Sequence, residues 1–425
     1  MDTPRTAEEG LQFLACRSPS TVVLGLERMH QALEELGHPE LRLRSIQVSG
    51  TNGKGSTCAF LEAMLRAAGH RIGLYTSPHL IRVNERFVVG GVAIDDQALG
   101  VRVVEVLRKS PAAAEATYFE LGTLVALEHF VREGVDVAVL EVGLGGRLDA
   151  TTAARPRLTA LTRVGMDHME FLGDSLEAIA REKAAIFRKG VPGVVGEQRP
   201  EALAAIQTCA SWVGAPLSVE GRDFSLDGLG RYRGPDLALD GLALGLHGEH
   251  QHHNAAVAIT CAVLLSRQGL AVGPEAIRTG LQRTRWPGRL EQVAGHPPLL
   301  LDGAHNEDGV AALVAALDAP PYAGRPMHLV FGVVSDKRVE PMLGALLPRC
   351  ASASLTGVPT PRSLDPAGYL AVARTLCPVV DVAPSPEEAL ARARVRAGPD
   401  GWVLVAGSLY LVGAVKALLE STPAG

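Results

Sequence analysis

Ile46-Gln47-Val48-Ser49-Gly50-Thr51-Asn52-Gly53-Lys54-Gly55-Ser56-Thr57 is the stretch on which the fold turns. Residues of strand character run into a glycine-rich turn. The turn runs into a helical pattern through Cys58, Phe60, Leu61, Met64 and Leu65 that stops at Gly69. A short apolar run, Arg71 to Tyr75, comes next, so the whole reads as strand, loop, helix, strand. The glycines let backbone N–H groups turn inward on phosphate oxygens, and the helix N-terminus adds partial positive charge. Lys54 is in reach of the outer phosphates of a nucleotide, and Ser56 or Thr57 can set a hydroxyl on Mg²⁺. The spacing departs from the common Walker pattern. Val48 stands where that pattern has a glycine, and Gly55 where it has Ser or Thr after the lysine.

Outward from this unit, Val135 to Val142 and Leu158 to Val164 are near-continuous apolar runs of the kind that form parallel strands buried on both faces. Ser175 to Lys189 reads as a helix capped by Ser175 with Glu177 in its first turn. From about Ser218 to Gly248 the Gly, Asp and Leu alternation predicts short antiparallel strands at a sheet edge, and a helix is expected from about Asn254 to Gln268. Arg285-Trp286-Pro287-Gly288-Arg289 breaks both helix and strand. Beyond it, apolar runs recur at Pro298–Leu301, His328–Gly332, Pro378–Val382 and Trp402–Ala406. Helical patterns separate them, around Asp308–Leu317, Glu340–Leu347, Pro366–Leu376 and Glu387–Arg396. The expected fold is therefore α/β throughout: a first domain, 1–287, with a mostly parallel sheet, and a smaller Rossmann-like doubly wound domain, 288–425. A chain of 425 residues suits two domains, and its 46 glycines and few aromatics fit many tight strand-to-helix turns.

The net charge of -5 gives no electrostatic reason to expect nucleic acid as a partner. The six cysteines show neither a C-x-x-C site nor a disulfide framework, which reads as reduced thiols in a cytoplasmic protein. Met1-Asp2-Thr3-Pro4 opens no basic segment followed by an apolar run, and no apolar stretch is long enough to span a bilayer. Nothing in the pattern demands more than a monomer.

Gly50 to Thr57 resembles the phosphate loop of the Mur ligase superfamily, in its folylpolyglutamate synthase and dihydrofolate synthase branch. Further stretches match in order. They are Leu24 to Arg28, Thr76-Ser77-Pro78-His79-Leu80, Thr117-Tyr118-Phe119-Glu120, Leu140 to Ala150, Asp167-His168 with Leu172-Gly173, and Arg181 to Ala184. His250-Gln251 with Asn254, Pro287-Gly288-Arg289 and Asp302-Gly303-Ala304-His305-Asn306 complete the set, which runs to Gly407-Ser408. The fold implied is a Mur-ligase-like P-loop ATPase domain joined to a Rossmann-like C-terminal domain.

The activity implied is ATP-dependent amide synthesis. A pteroate or folate carboxylate attacks the γ-phosphorus of ATP, and the amine of L-glutamate then displaces phosphate from the acyl phosphate. The resemblance assigns ATP to Thr51, Asn52, Gly53, Lys54, Gly55, Ser56, Asn254, Arg289 and Asp302. It assigns Mg²⁺, two ions, to Ser56, Ser77, Glu141 and His168. Glu141 also stands out unaided, as a carboxylate ending a buried apolar strand, where desolvation is costly unless a cation is met. Lys54, Lys183 and His305 are implied as catalytic, with Lys183 resembling a lysine that carries a CO₂-derived carbamate. The folate side is implied to involve Val22, Val23, Leu24, Thr117, Tyr118, Phe119, Glu120, Leu148, Asp149 and Ala150. Tyr118 and Phe119 read equally well as a pterin-stacking face or as core. Near Leu24-Gly25, many dihydrofolate-forming chains of this branch carry an acidic residue, and here Val23 stands instead.

Four other readings compete. They are synthesis of folylpolyglutamate alone, a peptidoglycan-precursor ligase, a non-catalytic nucleotide-binding regulator, and a nicotinamide enzyme. Only 45 residues precede the first strand, too few for a domain that holds a uridine nucleotide, and no G-x-G-x-x-G follows Leu299–Leu301. The irregular spacing of His247, His250, His252 and His253, without nearby Cys, makes a zinc site a weak reading.

Overall fold

β1, Ser45–Ser49, is buried along its whole length although three of its five residues are polar. Those polar side chains face protein. Ser45 Oγ donates to Ala154 O (3.0 Å), Gln47 Nε2 to Thr151 and Thr152 Oγ1 (3.0 and 2.7 Å), and Ser49 Oγ to Gly145 O (2.9 Å). The strand is thus stitched to segment 145–154, while Ile46 and Val48 are fully buried. These observations come from a computed structural model, which describes residues 4–18, 21, 23 and 25–421.

The strands that join β1 are, in chain order, β2 (Ile72–Tyr75), β3 (Phe87–Val89), β4 (Val92–Ala93), β5 (Val137–Glu141), β6 (Leu158–Leu161), β7 (Gly193–Val195) and β8 (Leu217–Val219). They form one eight-stranded sheet in the order β4-β3-β2-β5-β1-β6-β7-β8. All neighbours are parallel except β2–β3 and β3–β4. After β1 the chain crosses to one side, to β2; after β5 it crosses to the other, to β6. The reversal falls at β1, and such a switch point opens a crevice at the carboxyl ends of the strands. The glycine loop leaves β1 at that end.

Two helices cover one face around the core residues Leu99, Val103, Leu121, Leu124, Phe130 and Leu140. They are Asp96–Lys109, capped by Asp95, and Tyr118–Arg132. The second starts with a capping box. Thr117 Oγ1 accepts from Glu120 N (3.3 Å) and Glu120 Oε2 accepts from Thr117 N (2.7 Å), an arrangement worth about 1 kcal/mol. β9 (Ser225–Leu226), β10 (Tyr232–Gly234) and β11 (Leu237–Leu239) are the short antiparallel strands expected between 218 and 248, but they pair with one another in a three-stranded sheet instead of extending the edge of the large one. The helix expected over 175–189 is shorter, Leu176–Ala184, with Ser175 as its cap.

The C-terminal sheet contains β12 (Glu291–Val293), β13 (Leu299–Leu301), β14 (Met327–Phe331), β15 (Cys350–Thr356), β16 (Val380–Ala383) and β17 (Trp402–Ala406), in the order β12-β13-β17-β14-β15-β16. Only β12 is antiparallel. Its core gathers Leu329, Phe331, Leu343, Leu346, Leu355 and Leu404.

The chain divides into two compact units. The large one holds 1–165, 169–245 and 252–284. The small one holds 285–425 together with two short pieces, 166–168 and 246–251. The three residues 166–168, including Asp167 and His168, therefore belong with the C-terminal unit although the chain on both sides of them belongs to the large one. Among the described residues no helix is long and apolar enough to cross a membrane.

Candidate active site

In the large unit the glycine loop is fastened to the end of β6. Thr51 N and Asn52 N donate to Arg163 O (2.9 and 3.2 Å), Thr162 Oγ1 donates to Asn52 O (2.7 Å), and Thr51 Oγ1 and Gly165 exchange two bonds (3.0 and 3.1 Å). Gly50 has φ +144, and a Cβ there would lie 1.9 Å from Thr162 Oγ1. Gly53, at φ +90, caps helix Lys54–Ala67, and a Cβ on it would meet Asn254 Oδ1 at 2.1 Å. No side chain caps this helix and no acidic residue lies in its first turn, so its N-terminal amides keep their attraction for an anion.

Two lysines converge on one carbonyl. Lys54 Nζ donates to Gly50 O (3.1 Å) and Thr51 O (3.2 Å), and Lys183 Nζ, from helix Leu176–Ala184, donates to Gly50 O (2.9 Å). Lys183 is buried, at 4% exposure. Because both bonds end on the same oxygen, the two nitrogens are within about 6 Å of each other. Ser56 is buried at the start of helix Lys54–Ala67.

Glu141, buried at the carboxyl end of β5, accepts from Ser77 N (3.0 Å). Burial pushes the Cys58 thiol well up, the Glu141 carboxylate adds to this and the Lys54 ammonium opposes it, so all three groups share one electrostatic neighbourhood. Glu141 with the hydroxyl residues Ser56 and Ser77 offers oxygen donors only, which fits a hard divalent cation such as Mg²⁺. Among the described residues no three His, Cys, Asp or Glu side chains gather as a metal cluster. Two of the histidines after 246 bond other partners: His253 Nδ1 bonds Glu220 Oε1 (2.7 Å) and His250 Nε2 bonds Gln251 (3.1 Å).

The segments expected on the folate side have clear structural work. Val22 and Leu24 lie outside the described residues, and Val23 is exposed. Glu120 closes the capping box and pairs with Arg28 (2.8 Å). Tyr118 is buried and packs under Arg86, whereas Phe119 is half-buried, lies against Gly143 and has its ring 5.7 Å from that of Tyr75. Asp149 is buried and accepts from Gly143 N, Leu144 N and Thr151 N (2.9–3.0 Å). Burial raises its carboxyl despite these bonds. Asp149 thus shapes the turn after β5, with Leu148 half-buried and Ala150 buried beside it.

In the small unit, Asp302 follows β13 and accepts from Leu290 N (2.9 Å) and Ala304 N (2.8 Å). Burial raises its carboxyl and Arg289 opposes the rise. Arg289 itself donates to Gly288 O (3.1 Å). His305 Nδ1 donates to Gly303 O (2.7 Å), and its Nε2 stands 3.7 Å from Asp167 Oδ2; burial lowers the imidazole. Asp167 is the centre of this cluster. It accepts from Asn306 Nδ2 (3.0 Å) and His168 N (2.8 Å) and pairs with Lys337, which also pairs with Asp336 (3.1 Å). Burial alone would raise the Asp167 carboxyl, but His305, Lys337 and His168 outweigh it and hold the group well below the usual range. His168 has φ +52, in the left-handed region that non-glycine residues seldom enter, histidine being among those that do so most readily. Sequence reading singles out His168 and His305, the Asp167-His168 match and, by its place after the strand Leu329 to Val334, Ser335-Asp336-Lys337; the pairing of Lys337 with Asp167 is what it does not foresee.

A nucleotide-type loop at a switch point and a second α/β unit with an ionic cluster beyond its strand ends define the class, and the family models agree. Residues 48–200 match the Mur ligase middle domain, and residues 288–409 match the Mur ligase glutamate ligase domain. This is an ATP-dependent ligase of the Mur type. The chain is 34% identical to the dihydrofolate synthase/folylpolyglutamate synthase of Bacillus subtilis, over 93% of this chain and 95% of that one. It is 36% identical to the folylpolyglutamate synthase of Lacticaseibacillus casei, over 92% and 94%. Its fold superposes on E. coli FolC in complex with DHPP and ADP with a TM-score of 0.89 at 33% identity, covering 99% of each chain. It superposes on the bifunctional Yersinia pestis enzyme complexed with AMPPNP and Mn ion with a TM-score of 0.87 at 34% identity, covering 99% of each chain. The chain belongs to the folylpolyglutamate synthase and dihydrofolate synthase family of Mur ligases.

Proposed function

We propose that this chain is bifunctional and joins L-glutamate to dihydropteroate and to tetrahydrofolate or its polyglutamates, consuming ATP and releasing ADP and phosphate. An oxygen of the acceptor carboxylate bonds to the γ-phosphorus as the bond to ADP breaks; the glutamate amine then attacks the acyl carbon and phosphate leaves. The supporting observation is the convergence of Lys54 and Lys183 on the Gly50 carbonyl at the mouth of β1, in a chain with full-length relatives of both activities.

In this reading the amides of Thr51, Asn52, Gly53, Gly55 and Ser56 cradle the phosphates, and Lys54 leaves its carbonyls to meet them. Asn254 contacts the adenine side, Asp302 the ribose and Arg289 the phosphates. Ser56, Ser77, Glu141 and His168 hold two Mg²⁺ ions, which supply positive charge against the γ-phosphoryl oxygens when bound. Lys183 carries a CO₂-derived carbamate, and His305 orients glutamate. On the acceptor side Phe119, half-buried, offers its ring to the pterin, and the family resemblance adds Val22, Val23, Leu24 and Leu148 to that side. Thr117, Tyr118, Glu120, Asp149 and Ala150 act there by fixing the helix start and the turn. The enzyme works as a cytoplasmic monomer, in keeping with its free cysteines.

The test is ADP release and product mass with ATP, glutamate and either dihydropteroate or tetrahydrofolate. Products heavier by one glutamyl residue from both acceptors are expected. Turnover of tetrahydrofolate alone would reduce the reading to folylpolyglutamate synthesis, and ATP binding without turnover of either would overturn it.

A further inference from the structure

Arg86 is buried, at 6% exposure, yet among the described residues no carboxylate lies within ion-pair distance of it. Its guanidinium makes one hydrogen bond, from Nε to His79 Nδ1 (2.8 Å), and lies 5.0 Å over the ring of Tyr118. The other buried arginine of this unit, Arg102, has a carboxylate, that of Glu105. A guanidinium has five donors in a planar fork suited to a carboxylate, and burying one without an anion is costly. With no anion beside it among the described residues, the fork points to an anion that arrives.

The sheet says which. Tyr75 pairs with Phe87 across β2–β3 and with Leu140 across β2–β5, and Thr76 N donates to Arg86 O (3.2 Å). Arg86, Thr76 and Glu141 therefore stand level along one edge, in adjacent strands. Strand spacing of about 4.8 Å puts the Arg86 backbone about 10 Å from that of Glu141 and farther from the loop that leaves β1. The carboxylate that is phosphorylated must lie at the loop. A glutamyl acceptor carries a second carboxylate about 5 Å from the first, four C–C bonds along. Its displacement can run toward β2 and β3, beside the Phe119 ring assigned to the acceptor.

Resting on the proposed folate acceptor, we propose that Arg86, oriented by His79 and Tyr118, receives the unreactive α-carboxylate of a folate that already bears glutamate. Dihydropteroate has no such group. Arg86 is then a specificity residue for chain extension.

The test crosses residue with ligand group. KM is measured for tetrahydrofolate and for tetrahydropteroyl-γ-aminobutyrate, which keeps the reacting carboxylate and lacks the α-carboxylate. In the unaltered enzyme the analogue's KM is expected to be higher by about tenfold or more. In Arg86→Gln the two values should converge within about threefold, by a rise for tetrahydrofolate. Arg86→Lys, which keeps the charge and loses the fork, covers the case in which the glutamine variant fails to fold, and should narrow the gap. A gap that persists in either folded variant, or no gap in the unaltered enzyme, overturns the assignment. Failure of the unaltered enzyme to glutamylate tetrahydrofolate would instead overturn the function beneath it.

Discussion

Lys337→Met removes one partner of a buried pair and leaves the others in place. Lys337 and Asp167 side chains are 7% and 6% exposed, so the methionine fits the volume while the Asp167 carboxylate keeps only Asn306, the His168 amide and a histidine 3.7 Å away. Breaking such a pair from one side costs about 3–5 kcal/mol, a large part of a typical domain's stability. Asp167→Asn should cost less, because Lys337 retains Asp336 at 3.1 Å. The double variant should lose less than the sum of the two. The sign with pH follows from the depressed carboxyl. Its contribution is complete above its unfolded value near about 4 and is lost as pH falls through the lower folded value. In Lys337→Met burial acts with less opposition and the carboxyl rises toward its unfolded value, so the deficit should hold level at neutral pH and narrow as pH falls through about 4. Urea unfolding reports this through Trp402, buried in β17 of the same unit, while Trp212 is 89% exposed. A loss below about 1 kcal/mol at pH 7, or a deficit that grows on acidification, would refute the reasoning.

Gly50→Ala places a Cβ against Thr162 at φ +144 and should cost about 1–3 kcal/mol, read as a lower melting temperature, together with weakened ATP binding by calorimetry. Lys54→Ala should cut ADP formation at least about a hundredfold with little change in melting temperature; near-normal turnover would remove it from the site. Glu120→Ala breaks both the capping box and the Arg28 pair, and a loss of about 1–2 kcal/mol in urea unfolding is expected.

How much of this was readable in advance depended on the range of the interaction. β5 and β6 announced themselves because strands buried on both faces are apolar runs, and half-polar β1 because it runs into the contiguous glycine loop. β15 did not. Cys350–Thr356 is rich in Ala and Ser, and its place between β14 and β16 is secured by Ser352 bonding His328 and Ser354 bonding Asp381. Thr117-x-x-Glu120 was read for its ligand, while its local chemistry was that of a helix start. The Lys337–Asp167 pair spans 170 positions, so no local pattern could carry it. Residues 166–168 belong with the small unit, where Asp167 also meets Asn306, 139 positions away.

The two lysines on Gly50 link the proposed carbamate to the metal requirement. Two ammonium groups no more than about 6 Å apart repel by at least about 3 kcal/mol at an effective dielectric near 20. With both charged, the loop has two cations against the nearby Glu141 and favours a polyphosphate without help. Carbamylation turns Lys183 from a cation into an anion and removes that repulsion. The same groups then sum to one cation and two anions, which repel ATP unless divalent ions enter. A site built this way needs its metal more when the lysine is modified than when it is not. Dependence on CO₂ and dependence on Mg²⁺ should therefore rise together, and a carbamate that relaxed the metal requirement would contradict the charge balance from which it was argued.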